Sequence, residues 1–355
     1  MNRAVLLRRS AVLCCLLAMP AWAQNFAIVS PATAASLKAQ RGTPEAGKIV
    51  RDAEAALKQT PHPMERVHTE GTLPGKGIHD ESAAAEKDWP LTLNLAFAYR
   101  LTGDKRYLAQ TAKFLDAWAT VYKPSRNPID ETNFGNLVLA LDLTRADLPP
   151  EVAEHTAALF RAMALQYLDW LDANHDKDHE NWSSHRVKLA VLGAYVSGDK
   201  ALIERATAAY SRQVKVNIHP DGSVNDFYKR DALHYVVYDL EPLTTAALAA
   251  KAHGQDWFHT AATGSPSVEM GVDWLLPYAT GTKTHEEFVH STVAFDAARD
   301  KAGEKGYSGP WDPKTSVELM GLAAWMDPKY RPELEKVEAN TGVKAYPWLR
   351  LLVGR

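Results

Sequence analysis

The stretch from Tyr228 to Leu243 reads YKRDALHYVVYDLEPL and sets Arg230, His234 and Tyr238 at successive i, i+4 steps. Drawn as one helix, it carries all three side chains on one face. A polar stripe on an otherwise apolar helix needs partners or water, so it predicts a water-filled cavity or an internal hydrogen-bond network, the cavity being the favoured reading. A core histidine flanked by two snorkelling side chains is the alternative. A second stretch, His179-Glu-Asn-Trp-Ser-Ser-His185-Arg186, opens another apolar helix with the same mix of types and strengthens the cavity reading.

Outward from these two stretches the repeating signal is the amphipathic helix, and strand-like alternation is scarce. Helices are expected at 89–101, 106–122, 136–143, 150–170, 186–196, 201–214, 267–278 and 316–326. The tetrapeptides Thr-Gly-Asp-Lys (102–105) and Ser-Gly-Asp-Lys (197–200) each follow an apolar helix, which predicts stacked helical hairpins. The chain reads as all-α with at least five helix pairs. Two polar stretches interrupt the pattern. Pro61 to Lys87, with Arg66, His68, Lys76 and His79, is long enough to be a lid or binding segment; Thr280 to Ser291 carries Lys283, His285 and His290.

Residues 1–23 hold Arg3, Arg8 and Arg9, then an apolar run, then Ala21-Trp22-Ala23, the pattern of an export signal cleaved before Gln24. A single domain over 24–355 and a periplasmic or secreted address follow. The apolar run is too short for a membrane span and no later run reaches the length of one. Both cysteines, Cys14 and Cys15, lie in this leader, so thiolate chemistry and disulfides are not expected. Removing the three arginines takes Lys+Arg from 40 to 37 against 43 Asp+Glu, a net charge of about −6, which argues against a nucleic-acid partner but allows a locally basic cleft for an anionic sugar. His175 and His179 with Asp176 and Asp178 form a polar loop more often solvated than metal-bound, and neither metal nor cofactor is expected.

The run Asn127-Pro-Ile-Asp-Glu-Thr-Asn133, the stretch His179 to His185 and the run RDALHYVVYDLEPL together resemble the alginate lyase superfamily of polysaccharide lyases over residues 60–325. The resemblance implies an incomplete α/α toroid whose cleft holds an acidic polysaccharide, and metal-independent β-elimination at a uronic acid. The chain departs from the alginate lyase pattern of Asn-Asn-His followed by Trp: His179 and Trp182 match its ends, but Lys177 and Asp178 replace the asparagines. The family arginine seven residues before the catalytic tyrosine is displaced to Arg230, eight before Tyr238. These departures favour a glucuronan-cleaving branch over a strict alginate enzyme.

Elimination across C4 and C5 of a uronate needs its carboxylate neutralised, a base for the C5 proton and an acid for O4. Asn181, Asn133 and Arg230 are candidate neutralisers. His185, His234 and His179 are candidate bases. Tyr238 and Tyr235 compete as acid, with Tyr238 favoured by its place on the stripe; Asn181 as a helix cap is the bland reading of that residue. Glu131, His179, Trp182, Arg186, Arg66 and His68 complete the expected substrate contacts. Two other classes stay open: a glycosidase recruiting Asp231, Glu241 or Glu131, and a non-catalytic periplasmic polysaccharide-binding protein.

Overall fold

The computed structural model describes residues 25–177, 179–259 and 265–354. The expected export signal with its two cysteines, and Asp178, lie outside the described residues. Sixteen α-helices are found among the described residues, with two isolated β-bridges and no strand. They are α1 (Pro31–Ser36), α2 (Pro44–Ala56), α3 (His79–Ala85), α4 (Asp88–Thr102), α5 (Lys105–Val121), α6 (Gly135–Thr144), α7 (Pro150–Ala173), α8 (Asn181–Ser197), α9 (Lys200–Asn217), α10 (Asn225–Arg230), α11 (Leu233–Ala252), α12 (Val268–Ala279), α13 (Ala294–Lys301), α14 (Val317–Met326), α15 (Arg331–Thr341) and α16 (Pro347–Val353).

Five hairpins, α4/α5, α6/α7, α8/α9, α11/α12 and α14/α15, form an α/α toroid. Their first helices line up as an inner ring, and α2 and α16 from the two ends of the chain meet at its seam. The two rings differ in composition for a physical reason. Inner helices touch neighbours on every side, so α8 and α14 are buried over nearly their whole length, whereas outer α9 buries one stripe at Leu202, Ala206, Ala209, Tyr210, Gln213 and Val214.

The two predicted tetrapeptide turns are present. Gly103 (φ 79°) and Gly198 (φ 68°) end α4 and α8 in the left-handed region, and Asp104 and Asp199 then cap α5 and α9 by accepting from Arg106 N at 2.9 Å and Ala201 N at 3.1 Å. Gly193 lets α8 press onto α7, since a Cβ there would lie 2.2 Å from the Phe160 carbonyl oxygen. At the other end of the ring the chain from Ala27 to Val29 is pinned by the buried Asp142 of α6, which accepts three backbone N–H bonds of 2.7–2.9 Å.

The stretch YKRDALHYVVYDLEPL is two helices, not one. α10 ends at Arg230, Asp231 takes a left-handed conformation (φ 49°), and α11 starts at Leu233. The break is built by the polar stretch 280–291. Glu287 accepts from the N–H groups of Leu233 at 2.7 Å and His234 at 3.3 Å, capping α11, while Phe288 N donates to Asp231 O at 2.8 Å and His290 pairs with the Asp231 carboxylate at 2.9 Å. His285, 3.0 Å from the Asp231 carbonyl, and His290 belong to this bracket, whereas Lys283 lies over the Tyr278 ring at 5.5 Å.

Candidate active site

The inner helices surround a cavity of about 850 Å³. Its lining follows helical spacing: His185, Lys188 and Leu192 on α8, Tyr238, Glu241, Thr245 and Leu248 on α11, Glu318, Leu322 and Trp325 on α14. Toward the N-terminal ends of these helices the lining is polar. It continues through Thr132, Asn133 and Asn136 and through Thr69, Glu86 and Lys87 of the 61–87 segment; Tyr346 and Trp348, around the start of α16, add an aromatic side.

At the polar end two rings meet. His185 and Tyr238 lie with ring centroids 4.3 Å apart, inclined by 49°. Nδ1 of His185 is 2.6 Å from Thr132 Oγ1, and Nε2 is a fully buried atom, with the Tyr238 backbone the other hydrogen-bonding group at the ring. Lys188, one turn on, donates to the Thr132 carbonyl at 2.9 Å and to Thr132 Oγ1. Among the described residues the Tyr238 hydroxyl has no protein partner and is open to the cavity. Burial pushes the His185 imidazole well below its ordinary pKa, with Lys188 adding to the effect, so it is neutral at pH 7. Burial raises the Tyr238 phenol, which stays protonated. It pulls Lys188 down to about 8 and pushes Glu241 up to about 7, each opposed by the other's charge. The resulting set is a neutral imidazole, a protonated phenol and an ammonium on one wall, a combination able to remove one proton, deliver another and hold an anion.

Of the predicted site residues, His185, Tyr238 and Asn133 line this cavity. The others are placed elsewhere, each for a visible reason. Asn181 is buried at the first turn of α8, where its backbone and side-chain N–H groups both donate to Asp226 (2.7 and 2.8 Å). Arg230, lost from the stripe by the break at Asp231, pairs with Asp296 and Asp226 and stacks 3.9 Å over the Tyr235 ring. Tyr235 and His234 do share α11 with Tyr238, but they face that cluster: Arg299 approaches the Tyr235 hydroxyl, and burial with Arg299 and Arg230 lowers His234 to about 4. Glu131 accepts from Tyr122 at 2.7 Å and from Tyr167, a buried clamp rather than a substrate contact. Arg186 packs 3.5 Å from the Trp170 ring and 5.4 Å from the Trp182 ring, and neither Arg186 nor Trp182 lines this cavity. His179 lines a separate small recess with Lys177 and Arg212.

The 61–87 segment is anchored where it meets the ring. Asp130 holds His68 Nδ1 at 2.8 Å and accepts from Thr69 N and Glu70 N, which places Thr69 at the cavity; Arg66 is exposed and lines none of it. Residues missed from sequence are Thr132, Lys188, Trp325, Tyr346 and Trp348. The i, i+3 spacing of His185 to Lys188 and of Tyr238 to Glu241 was the available signal. One group among the described residues has metal-ligand proximity, His259, Glu269 and Asp327, with ligand atoms within 4.8 Å; Lys329 already pairs with Glu269, and none of them lines the cavity.

The Alginate lyase family matches residues 36–285, more than half of the chain. The chain belongs to the alginate lyase family. It is thus a polysaccharide lyase, which displaces the glycosidase and binding-protein readings. Structural comparison agrees on the fold. An alginate lyase from Bacteroides ovatus superposes with TM-score 0.68 at 18% identity, covering 93% of this chain and 99% of that one. Alginate lyase A1-III from Sphingomonas species A1 gives 0.58 at 18% identity, covering 92% and 90%. A histidine-to-alanine variant of A1-III complexed with a tetrasaccharide gives 0.57 at 19% identity, covering 84% and 88%. Comparison with the curated proteins gives no match. The family match ends at 285, so α14 and α16, which give this alginate lyase family member its aromatic and Glu318 wall, lie beyond it.

Proposed function

We propose that this lyase cleaves a polyuronate, of the alginate or glucuronan class, by β-elimination at the polar end of the toroid cavity. The observation that carries the reading is the contact between His185 and Tyr238, a neutral imidazole and a protonated phenol 4.3 Å apart, at the polar end of a cavity wide enough for sugar rings. Tyr238 is suited to protonate the departing O4, and the neutral His185 imidazole beside it to withdraw the C5 proton. Asn133 and Lys188 supply donors for the uronate carboxylate, whose negative charge grows as the proton leaves. Names of the structural relatives, one of them complexed with a tetrasaccharide, support an oligosaccharide of the alginate type. The displaced arginine and absent Asn-Asn pair support glucuronan as the rival substrate. The leader-like residues 1–23 support export to the periplasm.

The test is a panel of alginate, polyguluronate, polymannuronate and glucuronan incubated with the protein while ultraviolet absorbance is followed. Growth of a C4–C5 unsaturated chromophore on at least one polymer is expected. Silence on every polyuronate refutes the proposal.

A further inference from the structure

We propose that, resting on the elimination site just given, the wall of α11 and α14 is a subsite for an uncharged sugar, so that this lyase cleaves glycans alternating a uronate with a neutral residue faster than it cleaves a homopolyuronate. The charge inside the cavity points to it. Of the cations lining it among the described residues, Lys48 and Lys87 are exposed at its edge, Lys48 already paired with Asp52 at 2.9 Å, and Lys188 alone stands inside. None of them is an arginine. Glu86, Glu241 and Glu318 share the same interior. Glu241, Glu70 and Asp130 all act on the Tyr238 phenol as anions. A homopolyuronate brings a carboxylate with every ring, and like charges side by side in a partly buried site repel strongly. One uronate finds donors here, at Lys188 and Asn133; a second beside it does not.

The reaction fixes which neighbour this is. The C5 proton goes to the base, the C5–H electron pair forms the C4–C5 double bond, and the C4–O4 bond breaks with O4 taking the Tyr238 proton. The sugar that leaves with O4 therefore sits on the Tyr238 side. Glu241 follows one turn on along α11, and Glu318 of α14 is near enough to feel its charge. Their carboxyl oxygens accept from sugar hydroxyls, and the strip formed by Tyr346 and Trp348, rings 6.4 Å apart and inclined by 15°, offers a stacking face. Leu248, Leu322 and Trp325 add an apolar patch suited to the methyl of an acetamido group. Burial pushes Glu241 up to about 7 and Glu318 up to about 8, so each can also donate when protonated, whereas a second uronate there would require protons drawn from solvent. Glu318 serves the fold as well, accepting from Tyr346 N at 3.0 Å, a bond that glutamine can keep. Glu241 and Glu318 are specificity-determining residues on this account, and neither takes part in the proton transfers.

The experiment compares kcat/KM, read as growth of the unsaturated chromophore, on glucuronan and on a polymer alternating glucuronate with N-acetylglucosamine carried on O4 of the uronate. Both are measured at one pH and ionic strength on the same purified protein. The alternating polymer is expected to be favoured by about tenfold. Glu241→Gln and Glu318→Gln, each checked for folding by thermal unfolding, should raise kcat/KM on glucuronan several-fold, mainly through KM, and so narrow the ratio. A wild type that cleaves glucuronan as fast or faster, or folded glutamine variants that keep the wild-type ratio, overturns the subsite. Should a glutamine variant fail to fold, the wild-type ratio still decides. Cleavage of the alternating polymer alone would uphold the subsite while refuting the polyuronate reading. Turnover of homopolyuronates without that preference refutes the subsite and leaves the function standing, and silence on every polymer refutes both.

Discussion

Replacing Tyr238 by Phe deletes one oxygen at the centre of the site. The ring keeps its packing against His185 at 4.3 Å and His234 at 6.3 Å, and the hydroxyl has no protein partner to orphan. The stability change should therefore stay within about 1 kcal/mol. Loss of a positioned general acid costs roughly 10²–10⁴ in rate, equal to about 2.7–5.5 kcal/mol in the barrier. The two effects are thus separable by size. Thermal unfolding and the initial rate of chromophore formation on the best polymer, measured on the same preparation, give both. Tyr235→Phe is the matched control, since that hydroxyl sits with Arg299 and Tyr307 and not in the cavity; it should lower Tm modestly and leave kcat close to wild type. A folded Tyr238→Phe protein turning over within threefold of wild type, or Tyr235→Phe being the dead variant, would refute the assignment.

Arg230→Ala leaves Asp296 and Asp226 buried without their cation and should destabilise the protein by about 3–5 kcal/mol; denaturant unfolding checks this, and activity per folded molecule should change little. Trp348→Ala removes part of the aromatic wall and should raise KM several-fold with less effect on kcat, read from polymer saturation curves. Glu318 and Glu287 have folded pKa values raised by burial to about 8 and about 7, so above the unfolded carboxyl pKa the unfolded chain releases protons that the folded one retains. Their contribution is fully present at low pH and declines as pH rises toward 8; Tm should fall over that upper interval, where the buried histidines are already neutral, and Glu318→Gln should flatten the fall.

The toroid was legible because its signals are local. Gly103 and Gly198 with the capping aspartates mark hairpin turns wherever they stand, and inner and outer helices differ in how far round they are apolar. The site was legible only in part. Tyr238 and His185 lie on regular inner helices, so periodicity located them. Arg230 failed because helical spacing was extended through Asp231, whose left-handed backbone is held by Glu287, Phe288 and His290 from more than fifty residues away. Asn181 and Glu131 failed differently. Both are polar groups at element starts, and only tertiary partners, Asp226 for one and Tyr122 with Tyr167 for the other, decide that they serve the fold. Lys188 went unnoticed since a lone lysine in a helix is usually a solvated one.

The most direct measurement is the position of a uronate oligomer in crystals of Tyr238→Phe, a variant expected to bind without turning substrate over. The account expects one ring with C5 facing the His185 imidazole, O4 facing the missing phenol oxygen and its carboxylate toward Asn133 or Lys188, with further rings beside Trp348. An oligomer seated at the His179 recess, or anywhere out of hydrogen-bond reach of both His185 and residue 238, would contradict it.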